Sequence, residues 1–361
     1  MTNRTFDKLT QRLDGFLEMG VPFYDCAVMK NGECVYRHAN GFTDRSNEIT
    51  VTGREKYNIY SCSKLITCVA ALQLLEKDCF SLDDKLSDYM PEFEMMSVKR
   101  GNETVPAKKT ILIRHLFTMT AGFSYKLNSP SILLCKEETG GRCPTAELIR
   151  YLAKEPLIFE PGERWEYSLC HDVLAALVEV VSGVRFGEYV KEKIFSPLGM
   201  KDSTFMLDCS GHDEITNQYR YKEGEGVLQC DKTVAYKLGT EYESGGAGCV
   251  STVNDYVRFI EALRIGDIIL KNETVDRMAT NQLSNEQMRS YWFKNYGYGL
   301  GQRCPRDDRK TDFGWGGAAG AYYAIDRKNG ISVYMGAHIL GHQKFLDTQS
   351  EILPIIQEIL K

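Results

Sequence analysis

The stretch SCSKLITCVAALQLLEK, residues 61–77, predicts a helix with apolar residues on almost every face. A helix of that composition is buried on all sides, so other elements must cover it. If it runs between a sheet and a layer of helices, its first residue, Ser61, emerges where two lobes meet, which is a usual place for a cleft. The stretch therefore predicts a layered fold with a serine at the junction.

Two predicted hairpins frame the chain. The segments FYDCAVMKNGECVYRHANG, residues 23–41, and GAYYAIDRKNGISVYMGAH, residues 320–338, each place Asn-Gly between apolar, β-rich arms, which is the pattern of an antiparallel hairpin. Helical periodicity at the N-terminus and over residues 345–361 supplies helices that can cover the resulting sheet. We predict an α/β fold with an antiparallel sheet flanked by terminal helices, in a discontinuous lobe made of residues 1–80 and 236–361.

The middle of the chain, residues 81–235, has the pattern of helices and loops. In CHDVLAALVEVVSG, residues 170–183, an apolar stripe ends at Gly183, a residue type suited to the left-handed position after a helix. We predict that residues 81–235 form a mostly α-helical second lobe and that the active site lies in the cleft between the lobes.

Composition and charge argue against several classes of partner. The 361 residues carry a formal net charge of -5 and contain no basic run, so neither nucleic acid nor an anionic membrane is expected as a partner. No segment approaches the ~20 apolar residues that span a bilayer. The first 20 residues lack the apolar core of a signal peptide. We predict a cytoplasmic protein, with its oligomeric state left open.

The 12 cysteines include no Cys-x-x-Cys pair, so zinc and redox sites lose their main sequence signal. Cys68, Cys170 and Cys249 lie in apolar or small-residue runs, where a free thiol behaves as a small hydrophobe. No set of His, Cys and carboxylate residues has metal-ligand spacing. We predict buried thiols, no metal site and no cofactor.

Ser61 and Lys64 form the sequence Ser-Cys-Ser-Lys, and Ser61 is the only serine with a lysine three positions later. On a helix this spacing puts both side chains on one face, one turn apart. A serine hydroxyl becomes a strong nucleophile when a neighbouring group takes its proton, and a buried lysine can do so. The pair predicts nucleophilic catalysis by Ser61.

Further segments in a fixed order support that prediction. Together with Ser-x-x-Lys, they make the chain resemble the superfamily of serine β-lactamases and penicillin-binding proteins, in particular its class C β-lactamase and family VIII carboxylesterase branch. The resemblance covers nearly the whole chain. Its segments after Ser61 are LDDKLSDYMPEF at 82–93, ILIRHLFTMTAGF at 111–123, PGERWEYSLCHDVLAALVEVVSG at 161–183, FSPLGMKDSTF at 195–205, SGGAGCVSTVNDYVRF at 244–259 and FGWGGAAGAYYAID at 313–326.

The resemblance implies roles for further residues. Tyr167 matches the tyrosine of the branch's Tyr-x-Asn element and would relay the serine proton together with Lys64. The backbone N–H groups of Ser61 and Ala318 would form the oxyanion hole. Gly316 and Gly317 would let that strand edge approach the substrate closely.

Two departures from the family pattern bear on the substrate. Leu169 stands where the branch has asparagine, which removes an amide from the site. Trp315-Gly316-Gly317 replaces the usual Lys-Thr-Gly or His-Thr-Gly, and tryptophan offers no charge to a substrate carboxylate. We predict that Trp315 is an exposed apolar wall on which an aryl ester stacks, with Leu169, Gly316 and Gly317 also contacting substrate.

The neighbours His171 and Asp172 raise the possibility of a Ser-His-Asp arrangement. Adjacent helical residues point about 100° apart, so Asp172 would not orient the His171 ring, and a structural role is expected for both. His115 is likewise expected to be a hydrogen-bonded core or interface residue.

We predict a serine hydrolase that acylates itself on Ser61 and hydrolyses a small ester or activated amide, its partner being a small-molecule acyl substrate. Within the enzyme class, the alternatives are a β-lactamase and a D-amino-acid peptidase or amidase of the penicillin-binding type. From another class, the alternative is a receptor that becomes acylated and does not turn over.

Overall fold

A computed structural model describes residues 6–44, 46, 48–205, 214–232 and 236–361. The strands in these ranges are β1 Phe23–Lys30, β2 Glu33–Gly41, β3 Tyr57–Asn58, β4 Ser97–Arg100, β5 Glu103–Pro106, β6 Gln218–Lys222, β7 Gly226–Cys230, β8 Val250–Ser251, β9 Tyr296–Tyr298, β10 Arg303–Pro305, β11 Phe313–Gly316, β12 Tyr322–Asp326, β13 Ile331–Ala337 and β14 Ile339–Leu340. The helices are α1 Asp7–Glu18, α2 Ser63–Leu75, α3 Ile113–Phe117, α4 Pro130–Glu138, α5 Thr145–Leu152, α6 Cys170–Ser182, α7 Phe186–Val190, α8 Ser196–Leu198, α9 Val253–Ile265, α10 Asn272–Met278, α11 Gln343–Thr348 and α12 Ile352–Ile359.

Among the described strands, seven form one antiparallel sheet in the order β2-β1-β13-β12-β11-β10-β9. The two ends of the chain meet at its centre, where Ala27 of β1 lies opposite Tyr334 of β13. Both predicted hairpins are present. The connection in the second hairpin is four residues long, 327–330, and so is longer than the predicted Asn-Gly pair. The predicted α/β class with an antiparallel sheet and helices is confirmed.

Helices cover both faces of this sheet. Tyr334 packs against Tyr256 of α9 with ring centroids 4.3 Å apart. Tyr24, three residues before Ala27 on β1, lies on the opposite face and contacts Phe16 of α1, with centroids 6.3 Å apart. α1 also packs against α12. The helices at the two ends of the chain therefore share one layer, and α9 occupies the other.

The predicted buried helix is α2, and every residue of it except Gln73 and Leu75 is buried. It packs against α6, which in turn packs against α3 and α5. α6 ends as predicted at Gly183, whose φ of 74° is left-handed. An all-apolar helix is stable here because other helices replace water on its surface.

Residues 81–235 contain two hairpins that the sequence patterns did not predict, β4–β5 and β6–β7. β6 pairs in parallel with β14, near the C-terminal end of the chain. The division of the chain into lobes at residues 80 and 235 remains a prediction, since β6 and β14 join segments from both sides of it.

The cysteine prediction is only partly correct. In the described residues all cysteines are free and eight are buried, but Cys34 and Cys79 are exposed and Cys230 is half-buried. Cys209 lies outside the described residues. No three His, Cys, Asp or Glu side chains in the described ranges are grouped so that they could hold a metal ion. None of the helices described is long and apolar enough to cross a membrane.

Candidate active site

Ser61 lies in a 3-10 turn, Tyr60–Cys62, that leads directly into α2. Tyr60 has a left-handed backbone with a φ of 47°, which a non-glycine residue keeps only where its surroundings hold it. Its phenol donates a hydrogen bond to Gln218 Oε1 at 2.7 Å. Ser61 is therefore presented by a strained turn that β6, far along the chain, helps to hold.

Lys64 follows one helical turn after Ser61 and is only 1% exposed. Its Nζ donates to the Gly246 carbonyl oxygen at 2.7 Å and lies 3.4 Å from Ser61 Oγ. The side chains of Ser61 and Lys64 thus lie on the same side of the turn and the helix, as the Ser-x-x-Lys spacing predicts. The Nζ–Oγ distance is long for a strong hydrogen bond, which is common in catalytic sites without substrate.

Tyr167 completes the group. Its phenol donates to Ser61 Oγ at 2.6 Å, and Lys64 Nζ lies 4.6 Å from the centre of its ring. Tyr167 stands just ahead of α6, so the α2–α6 packing brings it to Ser61 although 106 positions separate the two residues. The structure places all three predicted catalytic side chains in mutual contact.

Tyr125 is a site residue that the sequence patterns did not identify. Its hydroxyl lies 3.3 Å from Lys64 Nζ, and its ring stacks on Tyr167 with centroids 5.4 Å apart. Burial raises the pKa of Tyr125 well above its ordinary value, so its phenol stays protonated. It follows the family-like segment at 111–123 by two residues, which was the available signal.

Asp172 holds the loop that receives Lys64. Its Oδ1 accepts hydrogen bonds from Tyr242 OH at 2.7 Å, Ser244 Oγ at 2.6 Å and Gly246 N–H at 3.3 Å. A Cβ built on Gly246 would lie 2.5 Å from Asp172 Oδ2 and 3.3 Å from Lys64 Nζ. The side chains of Asp172 and Lys64 thus approach the same glycine, Gly246, from different sides.

His171 lies apart from Asp172, with no hydrogen bond between them among the described residues. Its Nε2 is 3.6 Å from Cys68 Sγ and 3.5 Å from the Phe117 carbonyl oxygen. Burial, with a smaller effect of the Lys64 charge, lowers the pKa of His171 to about 3. The ring is neutral and packed, so the pair forms no Ser-His-Asp arrangement.

His115 is also a buried residue. Its Nδ1 accepts a hydrogen bond from Leu112 N–H at 3.1 Å. Burial lowers the pKa of His115 to about 4. The ring therefore belongs to the hydrogen bonding at the start of α3 and not to a ligand site.

The end of β11 approaches the turn that carries Ser61. A Cβ built on Gly317 would lie 2.4 Å from the carbonyl oxygen of Ile59, two residues before Ser61. Only glycine fits such a backbone contact. Gly317 also donates its N–H to the Ala321 carbonyl oxygen at 2.7 Å. The contact brings the Ala318 segment beside Ser61; the oxyanion hole formed by their N–H groups remains a prediction.

Comparison with known families agrees with this arrangement. The family model described as "Beta-lactamase" matches residues 8–349. The chain belongs to the β-lactamase family. The predicted enzyme class, a serine hydrolase related to β-lactamases, is confirmed at that level.

Two curated members that resemble this chain are named as esterases. Esterase EstB of Burkholderia gladioli is 28% identical over 338 residues, covering 85% of this chain and 83% of EstB. Lovastatin esterase of Penicillium rubens is 29% identical over 357 residues, covering 85% of this chain and 86% of that protein. Among solved structures, unliganded simvastatin synthase (LovD) from Aspergillus terreus superposes with a TM-score of 0.81 at 22% identity, over 99% of this chain and 98% of the other.

In this β-lactamase-family site, the ring of Trp315 is less exposed than predicted. It was expected to show an exposed ring, but it is only 7% exposed. Its ring stacks on Tyr167, with centroids 5.8 Å apart and planes 15° apart, and meets Tyr298 edge-on at 5.6 Å. The expectation failed because neighbouring aromatic rings cover it. Trp315 packs against Tyr167, and its contact with substrate remains a prediction.

Trp292, which the sequence patterns did not single out, supplies the exposed aromatic surface at the site. It is 57% exposed and packs on Tyr167 with centroids 5.1 Å apart. Phe293 beside it is 40% exposed and contacts Trp315 edge-on at 5.7 Å. By contrast Leu169, predicted to contact substrate, is buried in the core. The apolar lip of the site is formed by Trp292 and Phe293.

Proposed function

We propose that this member of the β-lactamase family hydrolyses small, uncharged esters or activated amides through an acyl-enzyme on Ser61. One observation carries the proposal: Ser61 Oγ lies between Tyr167 OH at 2.6 Å and Lys64 Nζ at 3.4 Å. A hydroxyl held by two proton-handling groups is the arrangement that makes serine a nucleophile. The resemblance to two proteins named as esterases supports it.

In the acylation step, the Lys64–Tyr167 pair holds one proton fewer than an ammonium and a phenol together, so it accepts the proton of Ser61 Oγ as that oxygen attacks the carbonyl carbon. The same pair then gives that proton to the leaving oxygen or nitrogen as its bond to the acyl carbon breaks. In the second step, water attacks the acyl carbon, its proton passes to the pair, and Ser61 recovers a proton as the acid is released. Stabilisation of the oxyanion by the N–H groups of Ser61 and Ala318 completes the proposal.

The surroundings of the nucleophile favour an uncharged substrate. Trp292 and Phe293 present aromatic surface at the mouth, and Trp315 replaces the cation that would receive a carboxylate. Burying an unpaired carboxylate against such a surface costs several kcal/mol. An aryl ester carries no charge and can stack on Trp292.

Covalent labelling tests the assignment of Ser61. We expect Ser61→Ala to abolish labelling by a fluorophosphonate, because among the serines that the structure describes Ser61 is the one that contacts both Lys64 and Tyr167. Ser63→Ala is the matched control: Ser63 Oγ is buried and accepts the Cys249 N–H at 3.0 Å, so labelling should persist. Labelling that survives in Ser61→Ala would show that another residue is the nucleophile.

Substrate preference tests the choice of ester over β-lactam. We expect kcat/KM for p-nitrophenyl butyrate to exceed that for a chromogenic cephalosporin by at least about 100-fold, which is about 2.7 kcal/mol of transition-state binding. Comparable rates would favour the β-lactamase alternative, and turnover of D-peptides the peptidase. A single burst with a lasting mass increase would instead identify a receptor.

A further inference from the structure

A cavity of about 360 Å³ lies between the edge strand β9, its neighbour β10 and helix α12. Tyr322 lines it, whereas the next residue on β12, Tyr323, pairs with Trp315. Successive residues of a strand point to opposite faces of the sheet. The cavity therefore opens on the face of the sheet opposite Trp315, and it adjoins the site of Ser61 through Trp292 and Phe293.

The charged groups around this cavity are mainly cationic: Lys294, Arg303 and Lys310 against one carboxylate, Asp312. Both oxygens of that carboxylate are engaged. Oδ2 accepts from Arg303 Nη2 at 2.6 Å, and Oδ1 accepts from Tyr296 OH at 3.0 Å. In a chain with a formal net charge of -5, this is a local excess of positive charge, and it attracts anions.

Two cationic side chains at this cavity, Arg303 and Lys310, are not fully paired within the described residues. Arg303 is 8% exposed, and its Nε has no hydrogen-bond partner among the described residues. The Lys310 ammonium lies 5.4 Å from the centre of the Tyr296 ring, and within the described ranges it forms no ion pair. Buried donors without acceptors are costly. An anion in the cavity would satisfy them.

The remaining walls are apolar. Leu353 and Pro354 of α12 line one side, and the half-exposed Trp292 and Phe293 line the mouth. Small-ligand sites usually combine walls of this kind with a few oriented polar groups, in volumes of about 300–1,000 Å³. Inorganic anions would leave the apolar surface uncovered, so the occupant should carry an apolar body.

We propose that this cavity binds a small organic carboxylate with an aromatic or branched apolar body. The carboxylate would face Lys310 and the Arg303 guanidinium, and the apolar body would lie against Leu353, Pro354 and Phe293. Such an occupant would touch Trp292 and Phe293, the same two side chains that pack on Tyr167 and Trp315.

Calorimetric titration with phenylacetate and its neutral isostere phenylacetamide tests the proposal. Using the full chain carrying Ser61→Ala keeps binding separate from turnover, so the result does not depend on the proposed hydrolysis. We expect the acid to bind at least about tenfold more tightly than the amide, since one charge-assisted hydrogen bond is worth about that much. Equal affinity of acid and amide would overturn the proposal.

Matched variants locate the binding. Lys310→Gln should weaken phenylacetate about fivefold or more, whereas Lys328→Gln, an equal change of charge at an exposed lysine in the β12–β13 turn, should have little effect. Ser350→Phe, at an exposed position on the cavity wall, should block binding by filling the space. If Lys310→Gln and Ser350→Phe bind as tightly as Lys328→Gln, the carboxylate binds elsewhere and the proposal fails.

Discussion

Two stacked tyrosines differ, at the scale of single residues, in what their hydroxyls touch. Tyr167 OH donates to Ser61 Oγ at 2.6 Å, whereas Tyr125 OH receives its contact from Lys64 Nζ at 3.3 Å. In the proposed mechanism, only Tyr167 lies on the path that the Ser61 proton takes. The other tyrosine holds the lysine and stays protonated, because burial raises the pKa of Tyr125 well above its ordinary value.

This difference predicts unequal effects of the same substitution. Tyr167→Phe should lower kcat for an aryl ester by about 100-fold or more, as expected for loss of a general acid–base group. Tyr125→Phe removes one hydroxyl from Lys64, which keeps its bond to Gly246, and should lower kcat by less than about tenfold. Steady-state kinetics on folded variants measure both. Equal losses would mean that the two phenols act as one unit.

At the scale of elements, the site depends on how closely the end of β11 approaches the turn before α2. Gly317 and Gly316 are a matched pair for this contact. A Cβ on Gly317 would lie 2.4 Å from the Ile59 carbonyl oxygen, whereas on Gly316 the nearest atom would be the Ala321 carbonyl oxygen at 3.3 Å. Backbone cannot move aside as a flexible side chain does, so the first substitution must shift the strand or the turn.

We therefore expect Gly317→Ala to reduce kcat/KM by about 100-fold, because a misplacement of about 1 Å at the reacting groups has that effect. Gly316→Ala should retain most of the activity. Circular dichroism and thermal denaturation would show whether each variant keeps the fold. Full activity in Gly317→Ala would mean that the approach of β11 does not position the nucleophile.

At the scale of the whole molecule, stability depends on a buried carboxyl group of the central sheet, that of Asp25. Asp25 on β1 is buried, with Arg37 at 2.5 Å and its Oδ1 without a hydrogen-bond partner among the described residues. Burial, offset in part by Arg37, raises the pKa of Asp25 to about 7. An unfolded chain releases that proton near pH ~4. The stability that protonated Asp25 contributes is therefore present in acid and lost as the pH rises through about 7.

Asp25→Asn should remove this dependence. The difference in melting temperature, Asp25→Asn minus the unaltered protein, should be larger at about pH 8.5 than at about pH 5. Asp307→Asn is the control, because bonding to Arg309 lowers the pKa of Asp307 to about 2 and its effect should not change between those pH values. Melting temperatures at both pH values provide the measurement. An Asp25→Asn effect that is the same at both would show that Asp25 ionises normally.

The parts of this protein that the sequence alone determined are local in the chain or follow a familiar order. Ser61 and Lys64 meet because three residues make nearly one helical turn, and the terminal hairpins follow from turn residues between β-rich arms. Tyr167 was placed by motif order. The structure supplied the contact with Ser61.

Tertiary structure alone decided what surrounds these residues. Tyr125 and Trp292 join the site, and Trp315 is covered, through packing between segments distant in sequence. β6 pairs with β14 across more than a hundred residues, so no local pattern predicts it. Propensity and periodicity report only neighbours along the chain, whereas burial and pairing are set by which distant surfaces exclude water from one another.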